Sequence, residues 1–218
     1  MYSLIVDTSH HEHFIGILNE EAALVSHKRF STPPYESLMS HLEALFNDSK
    51  IPLQEITRYY APCAPGSTLG IRVAQMAITG FQEAHKGLKK QGERPSLPSL
   101  VKYNGLYMTA LYLKSQMVAS NSLLITENGR DAWSCIDMSK PECSEILRVD
   151  RESINSAQKD HGIYYIPQLK RWQEPPEKAI HLEYDTRNFL SLFKQLENSK
   201  IDQDELLTSN LKYKKWNA

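Results

Sequence analysis

Three strand-like segments separated by turns open the sequence, and the same order returns about 120 residues later. No other feature limits the possible folds as strongly. The first copy contains Leu4–Thr8, Phe14–Leu18 and Ala22–Phe30. Short apolar runs and period-two alternation, with turn residues between them, are typical of an antiparallel meander of strands.

The second copy contains Leu123–Thr126, Asp131–Met138 and Ser144–Val149. Between its first two segments lies Asn128-Gly129, which predicts a two-residue type I′ hairpin because both positions of that turn need a positive φ. Since the meander occurs twice, the sequence predicts a duplicated chain with two related halves.

Helical patterns and further strands follow each meander. The predicted helices are Ser37–Asn47, Thr68–Lys90, Asn104–Ala119 and Thr186–Glu197. Additional strands are predicted at Arg58–Ala64 and Gly162–Ile166. Gln91–Ser99, rich in Pro, Gly and Ser, predicts the boundary between lobes 1–98 and 99–218. The predicted class is α/β, with two similar lobes that each combine a mixed sheet with helices.

Charge and cysteine content restrict the class of protein. A formal net charge of −1 gives no overall field that would draw the chain to nucleic acid or an anionic membrane, although Lys212-Tyr213-Lys214-Lys215 could form a local basic patch. No run of 18 apolar residues predicts a membrane span, and no export signal is recognisable. Cys63, Cys135 and Cys143 fit no disulfide framework. We therefore expect a cytoplasmic protein without a membrane segment.

A cluster of histidines, His10, His11 and His13, raises the question of a metal site. A catalytic zinc site needs three protein ligands in a fixed shell, and no partner Cys or His pair occurs elsewhere at a recognisable spacing. We expect these histidines to lie in a solvated turn and assign no metal ligands. The rival interpretation is a metal-binding protein.

Two other segments could contact a phosphate. In Asp7-Thr8-Ser9, a carboxylate and two hydroxyls follow a strand and can hold phosphate or hydrated Mg²⁺, or simply satisfy the turn backbone. In the second segment, Gly66 permits a tight turn, and Ser67 or Thr68 can cap a helix whose first N–H groups attract anions. However, glycines never occur in adjacent pairs, and no nucleophile–base pair or carboxylate pair is recognisable. We therefore expect no catalysis by the chain alone.

The first two predicted helices are apolar around most of their circumference. One face can cover the sheet, and the other then needs a partner chain, unless the second half supplies a larger core. The residues predicted to contact a partner are Leu38, Met39, Leu42, Leu45, Phe46, Ile71, Ala74 and Ile78. Replacing Leu42 and Ile78 by Asp should then abolish partner binding and leave the fold intact.

These motifs resemble those of the TsaB (YeaZ) family. LIVDTS and FIGIL, and the stretch APGSTLGIR, are similar to the family's "IDTS" strand and "GPGSFTGLR" loop–helix. Five residues match the loop without a gap: Pro65, Gly66, Ser67, Gly70 and Arg72. Weaker similarity surrounds Asn128-Gly129, with Trp133 near an aromatic position, and extends to Leu211–Lys215, which resembles a terminal "P-x-Y-x-R".

The resemblance implies a duplicated actin/Hsp70-like (RNase H-like) fold with a vestigial nucleotide cleft at Asp7, Thr8, Ser9, Gly66 and Ser67. It implies a non-catalytic scaffold, needed for N6-threonylcarbamoyladenosine modification of tRNA, that binds and stabilises a TsaD-like catalytic subunit. A TsaE-like ATPase would be a further partner, and the chain alone would form a homodimer. No cofactor would be bound tightly; tRNA, ATP and Mg²⁺ would belong to the assembled complex.

Departures from the family pattern mark a divergent member. Pro34 and Tyr35 stand where the family often has His-Ser before a glutamate, and Ala64 replaces the first loop glycine. The alternative to a scaffold is an enzyme, namely an actin-like ATPase or small-molecule kinase that uses the Asp7 hairpin and the loop Pro65–Thr68.

Overall fold

Two five-stranded sheets form the framework of the computed structural model, which describes residues 1–87, 97–117, 121–140 and 145–198. The first sheet consists of β1 (Tyr2–Asp7), β2 (His13–Leu18), β3 (Leu24–Phe30), β4 (Ile56–Ala64) and β5 (Ser99–Asn104). The second consists of β6 (Ser122–Glu127), β7 (Trp133–Asp137), β8 (Leu147–Val149), β9 (Gly162–Ile166) and β10 (Ile180–His181).

The strand orders of the two sheets are equivalent: β3-β2-β1-β4-β5 and β8-β7-β6-β9-β10. In each sheet the first three strands form an antiparallel meander, and the last two run parallel to the first strand. The internal duplication and the two-lobed α/β class predicted from the sequence are therefore confirmed.

Helices connect the strands and follow each sheet. They are α1 (Pro34–Ser49), α2 (Thr68–Gly87), α3 (Gly105–Ser115), α4 (Arg151–Ala157) and α5 (Leu190–Asn198), with short 3-10 helices at Leu53–Glu55 and Thr186–Phe189. In the second lobe a loop, residues 167–179, stands between β9 and β10 where the first lobe has α2. Within the described ranges, no helix is both long and apolar enough to cross a bilayer.

The alternation of side chains along β1 divides the core of the first lobe. Leu4 and Val6 pack with α1 and α2 on one face of the sheet, whereas Ile5 packs on the other face with α3 and α5. Helix α3 contacts strands of both sheets, so this second cluster joins the lobes. Both faces of β1 are covered, and all of its residues from Ser3 to Asp7 are buried.

The strand β5 follows the predicted boundary at residue 98 and pairs in parallel with β4, so it completes the first sheet. One local prediction is wrong. The Asn128-Gly129 turn is not a two-residue type I′ turn, because Gly129 has φ +84° while Asn128 has no positive φ. The N–H of Asn128 instead donates to the carbonyl of Ala132 at 2.8 Å, which closes a longer loop.

Several sequence features lie outside the described residues. They are Cys143, most of the predicted linker Gln91–Ser99, the basic run Lys212-Tyr213-Lys214-Lys215 and the family-like ending Leu211–Lys215.

Candidate functional site

The carboxylate of Asp7 lies at the end of β1 and is 2% exposed. Its Oδ1 accepts hydrogen bonds from the backbone N–H of Ser9 at 3.0 Å and from the Ser9 hydroxyl at 2.6 Å. Its Oδ2 accepts from the hydroxyls of Tyr103, Tyr184 and Thr186 at 2.5, 2.8 and 3.0 Å. A carboxylate offers about four lone-pair positions, so protein donors use the whole acceptor capacity of Asp7.

The donors to Asp7 come from both lobes. Tyr103 lies on β5 of the first sheet, whereas Tyr184 and Thr186 follow β10 of the second sheet. Burial and the adjacent Asp7 carboxylate raise the pKa of both tyrosines well above the ordinary value. Both phenols therefore stay protonated and keep donating. The Asp7 cluster, defined as Asp7, Ser9, Tyr103, Tyr184 and Thr186, is a buried polar connection between the lobes.

His10 extends this cluster in a defined tautomer. The Ser9 hydroxyl gives its single hydrogen to Asp7, so its 2.8 Å contact with Nδ1 of His10 requires a hydrogen on that nitrogen. The His10 ring stacks on Tyr184 with ring centres 3.7 Å apart. Burial lowers the pKa of His10 from 6.5 to about 4, so the imidazole is neutral near pH 7.

The expected solvated turn at the histidines is wrong. His10 and His13 are each 4% exposed, and His13 packs edge-on against Phe30; His11 is exposed. The rings of His10 and His13 thus lie against aromatic side chains, whereas His11 and Glu12 are exposed. Throughout the described part of the chain, no three His, Cys, Asp or Glu side chains converge as a metal site would require.

Asp7, Ser9 and His10 do not form a hydrolytic triad. In such a triad the imidazole lies between the carboxylate and the nucleophilic hydroxyl, so that it can take the hydroxyl proton. Here the Ser9 hydroxyl lies between Asp7 and His10 and donates to the carboxylate. Ser9 is also fully buried, so its hydroxyl cannot reach a substrate.

The loop before α2 is fixed against the hairpin by very close backbone contacts. Gly66 has φ +144°, and a Cβ there would lie 2.6 Å from the carbonyl oxygen of Ser9; a Cβ on Gly70 would lie 1.9 Å from that of Thr8. The N–H of Ser67 donates to the Ser9 carbonyl at 2.7 Å, and the Thr8 hydroxyl donates to the Gly70 carbonyl at 2.7 Å. The Ser67 hydroxyl accepts from the N–H of Gly70 at 3.1 Å, and the Ala64–Pro65 peptide bond is cis.

The structure therefore brings together all five residues of the predicted vestigial cleft, Asp7, Thr8, Ser9, Gly66 and Ser67. It places them in contact with one another rather than around an open space. The N–H of Ser67, which could have held an anion, is bonded to Ser9.

A cleft of about 500 Å³ lies beside this cluster, between the lobes. Its lining includes His10, His11, Glu12, Arg29, Phe30 and Tyr184. The guanidinium of Arg29 forms an ion pair with Glu12 and lies 3.9 Å from a carboxylate oxygen of Glu183. The cation that could attract a phosphate to this cleft is therefore already opposed by two carboxylates.

The second lobe repeats the buried carboxylate at the equivalent strand end. Glu127 ends β6 and is 4% exposed. It accepts from the hydroxyl of Tyr165 at 2.6 Å and from the backbone N–H of Gln168 at 3.0 Å. No sequence pattern identifies Tyr103, Tyr165 and Tyr184 as part of these sites, since each lies far along the chain from the carboxylate that it contacts.

Five of the eight residues predicted to contact a partner are core residues. Leu38, Leu42, Leu45, Ala74 and Ile78 are 0–2% exposed and pack between the helices and the first sheet. Charging Leu42 and Ile78 would therefore disrupt the core, contrary to the expectation that the fold would survive. The buried stripe is Leu38, Leu42 and Leu45 on α1, and Gly70, Ala74, Ile78 and His85 on α2.

Other apolar residues of the same helices remain exposed. Met39 is 59% exposed, whereas Phe46 and Ile71 are half-buried. Tyr35 and Met39 lie four residues apart on α1, and Leu69 and Met76 lie seven apart on α2, so each pair shares a helix face. We call Tyr35, Met39, Leu69 and Met76 the α1–α2 surface; each is at least 56% exposed.

These features define the molecule as a duplicated α/β protein with two similar lobes, each built on a mixed five-stranded sheet. No protein-family model matches the sequence, and no curated protein matches it. YeaZ from Pseudomonas aeruginosa is similar in structure, with a TM-score of 0.60 at 14% identity over 94% of this chain and 97% of that protein. An uncharacterised protein with similarity to peptidase YeaZ from Pseudomonas aeruginosa gives a TM-score of 0.60 at 15% identity, covering 94% of this chain and 95% of its own. The chain therefore has the YeaZ fold along nearly its whole length.

Proposed function

We propose that this chain is a non-catalytic scaffold of the TsaB (YeaZ) kind. In this role it binds and stabilises a TsaD-like catalytic subunit, which modifies tRNA with N6-threonylcarbamoyladenosine together with a TsaE-like ATPase in the cytoplasm. The observation that carries the proposal is the exposed apolar α1–α2 surface. The YeaZ fold and the family-like loop Pro65–Arg72 support it.

The α1–α2 surface is suited to contact another protein. Both helices pack on the same face of the first sheet, and Phe46 of α1 contacts Phe81 of α2 edge-on with ring centres 5.9 Å apart, so their outer faces lie on one side of the molecule. Burying a large apolar side chain contributes about 1.5–3 kcal/mol. Nothing lies within 4 Å of a Cβ built on Gly80, so a partner helix could approach α2 closely there.

The Asp7 cluster supports a role without catalysis. A carboxylate that is to hold Mg²⁺ or orient a water molecule needs free lone pairs, and those of Asp7 are occupied by five protein donors. Glu127 also accepts two protein hydrogen bonds. Neither carboxylate is arranged to perform the phosphate chemistry of the rival ATPase or kinase interpretation.

The proposal is tested by size-exclusion chromatography with light scattering on the chain alone and mixed with the TsaD-like protein of the same organism. We expect a homodimer alone and a heterodimer in the mixture. Met76→Asp should weaken the heterodimer at least tenfold, because it places a charge within the proposed contact. Met117→Asp is the matched control, since Met117 is 96% exposed outside α1 and α2.

Failure of the wild-type proteins to associate, with or without ATP and tRNA, would contradict the scaffold role. If Met76→Asp and Met117→Asp weaken the heterodimer equally, the chain still binds the TsaD-like protein, but not through the α1–α2 surface. Circular dichroism of both variants should match that of the wild type, because both methionines are exposed.

A further inference from the structure

The loop between β9 and β10 is held at two points against the β6–β7 hairpin. The side chain of Gln168 donates to the Thr126 hydroxyl at 2.7 Å, and its backbone N–H donates to Glu127 at 3.0 Å. The side chain of Gln173 donates to the carbonyl of Ala132 at 2.8 Å. Residues 169–172 are thus fixed at both ends, and all four are exposed. The loop displays Leu-Lys-Arg-Trp on an ordered support.

This arrangement places two cations at the ring of Trp172. Trp172 is 41% exposed. The Lys170 ammonium lies 4.5 Å from the centre of its ring, and the Arg130 guanidinium carbon, from the β6–β7 hairpin, lies 5.9 Å from it. Arg171 adds a third cation next to the tryptophan in sequence. We call Arg130, Lys170, Arg171 and Trp172 the tryptophan patch.

The charged groups nearest the indole are cationic. Lys170 and Arg130 lie at its ring, and Arg171 precedes it in sequence. The carboxylates beside these cations are Glu174, 3.6 Å from Arg171, and Asp131, which follows Arg130 in sequence. An exposed indole with cations at its ring is the combination that binds bases and phosphates of an unpaired strand.

Stacking a base on Trp172 is worth more free energy than the cation–π contacts that the ring makes in this structure. An exposed cation–π contact contributes about 0.5–1 kcal/mol, whereas stacking a base on an aromatic side chain contributes about 1–3 kcal/mol. A base can therefore displace Lys170 or Arg130 from the ring, and the released cation is then available to a neighbouring phosphate. An acidic peptide would pair with the cations but would leave the indole without a stacking partner.

We propose that the tryptophan patch binds single-stranded nucleic acid, with an unpaired base stacked on Trp172 and backbone phosphates on Arg130, Lys170 and Arg171. The patch lies on the second lobe and shares no residue with the α1–α2 surface. The inference therefore does not depend on the proposed scaffold function, and each can fail without the other.

The test is fluorescence anisotropy of a labelled oligouridylate of twelve nucleotides, titrated with the full chain. Trp172→Leu should weaken binding about fivefold or more, and Trp172→Phe should restore most of the loss, because phenylalanine still stacks. Tyr35→Leu is the matched control, since Tyr35 is an exposed aromatic residue of the first lobe. It should leave the affinity unchanged.

The salt dependence provides a second readout. Three phosphate contacts on a single strand predict a slope of log K against log salt of about −2. Replacing Arg130 and Lys170 by Gln should bring the slope to about −0.7, since one contact remains. Oligothymidylate of the same length distinguishes DNA from RNA; equal affinity for both strands, or a preference for one, supports the proposal.

Three results would overturn the proposal. One is equal loss of affinity in Trp172→Leu and Tyr35→Leu, which would exclude stacking on this tryptophan. A second is tighter binding of a duplex of the same length. The third is equally tight binding of a twelve-residue glutamate peptide with the same dependence on Trp172, which would indicate an acidic protein partner. The Trp172→Leu variant should still bind the TsaD-like protein, which shows that the two proposals are tested independently.

Discussion

Asp7 and Glu127 occupy equivalent positions in the two lobes, at the ends of β1 and β6, but they are bound differently. Asp7 accepts from five donors that belong to both lobes, whereas Glu127 accepts from Tyr165 and Gln168 of its own lobe. The duplicated strand position has thus become a connection between lobes in one copy and a local anchor in the other. Both copies use the carboxylate for structure, with hydrogen bonds from protein donors.

The largest expected effect is that of Asp7→Ala. It would leave the hydroxyls of Tyr103, Tyr184 and Thr186 buried without their acceptor, and each such group costs about 1–3 kcal/mol. We expect a loss of at least about 3 kcal/mol in the free energy of unfolding, measured by urea denaturation. Because the donors join two lobes, the loss should appear in the transitions of both. A loss confined to one lobe would contradict the connection.

The pH dependence of stability should follow His10. Its pKa is lowered from 6.5 to about 4 in the folded state, so the unfolded chain binds more protons between these values. The stability that neutral, buried His10 contributes is fully present above pH 6.5 and is lost as the pH falls from 6.5 toward 4. From pH 7 to pH 5 the loss should be about 2 kcal/mol.

The control for this pH effect is His10→Phe, which keeps a ring against Tyr184 and removes the titration. Urea denaturation of the variant should show a flatter dependence between pH 7 and pH 5. A dependence as steep as that of the wild type would assign the effect to other groups.

Glu127→Ala should destabilise the protein less than Asp7→Ala. Only the Tyr165 hydroxyl and the Gln168 N–H lose their acceptor, and both belong to the second lobe. We expect a loss of about 2 kcal/mol in the same urea experiment. A loss as large as that of Asp7→Ala would mean that the two carboxylates are equivalent after all.

The smallest effects are those of Tyr184→Phe and Tyr165→Phe, which each remove one hydrogen bond and keep the ring. Each should cost about 1–2 kcal/mol, since one hydrogen bond is lost while the ring stays packed. Asp7 retains four donors in Tyr184→Phe, whereas Glu127 retains one in Tyr165→Phe. The Tyr165→Phe variant should therefore lose at least as much stability as Tyr184→Phe. Thermal unfolding of the two variants measures the difference.

The sequence predicts the duplicated fold well because its signals are local. The apolar runs of β1 and β2 and the helical pattern of α2 identify elements, and their repetition identifies the lobes. The Asp7 cluster could not be predicted in the same way. Tyr184 is 177 residues from Asp7 in the chain, and no local pattern distinguishes a tyrosine that will donate to a distant carboxylate.

The exposed surfaces were harder to predict than the elements. Periodicity shows that Ala74 and Val73 lie on different apolar sides of α2, but it does not show which side the sheet covers. The structure resolves this, since Ala74 is fully buried and Val73 half-buried. The same limit explains why periodicity predicts a partner contact at buried Leu42 and overlooks exposed residues such as Met76.

The contact between the loop glycines and the hairpin has a consequence for the interpretation of sequence motifs. Gly66 and Gly70 are required because the backbone of Thr8 and Ser9 occupies the space where side chains would lie. A loop of this kind can therefore persist over long divergence without any ligand to preserve it. Its occurrence in another chain is a sign of architecture, and the chemistry of that chain has to be judged from whether its strand-end carboxylates are free.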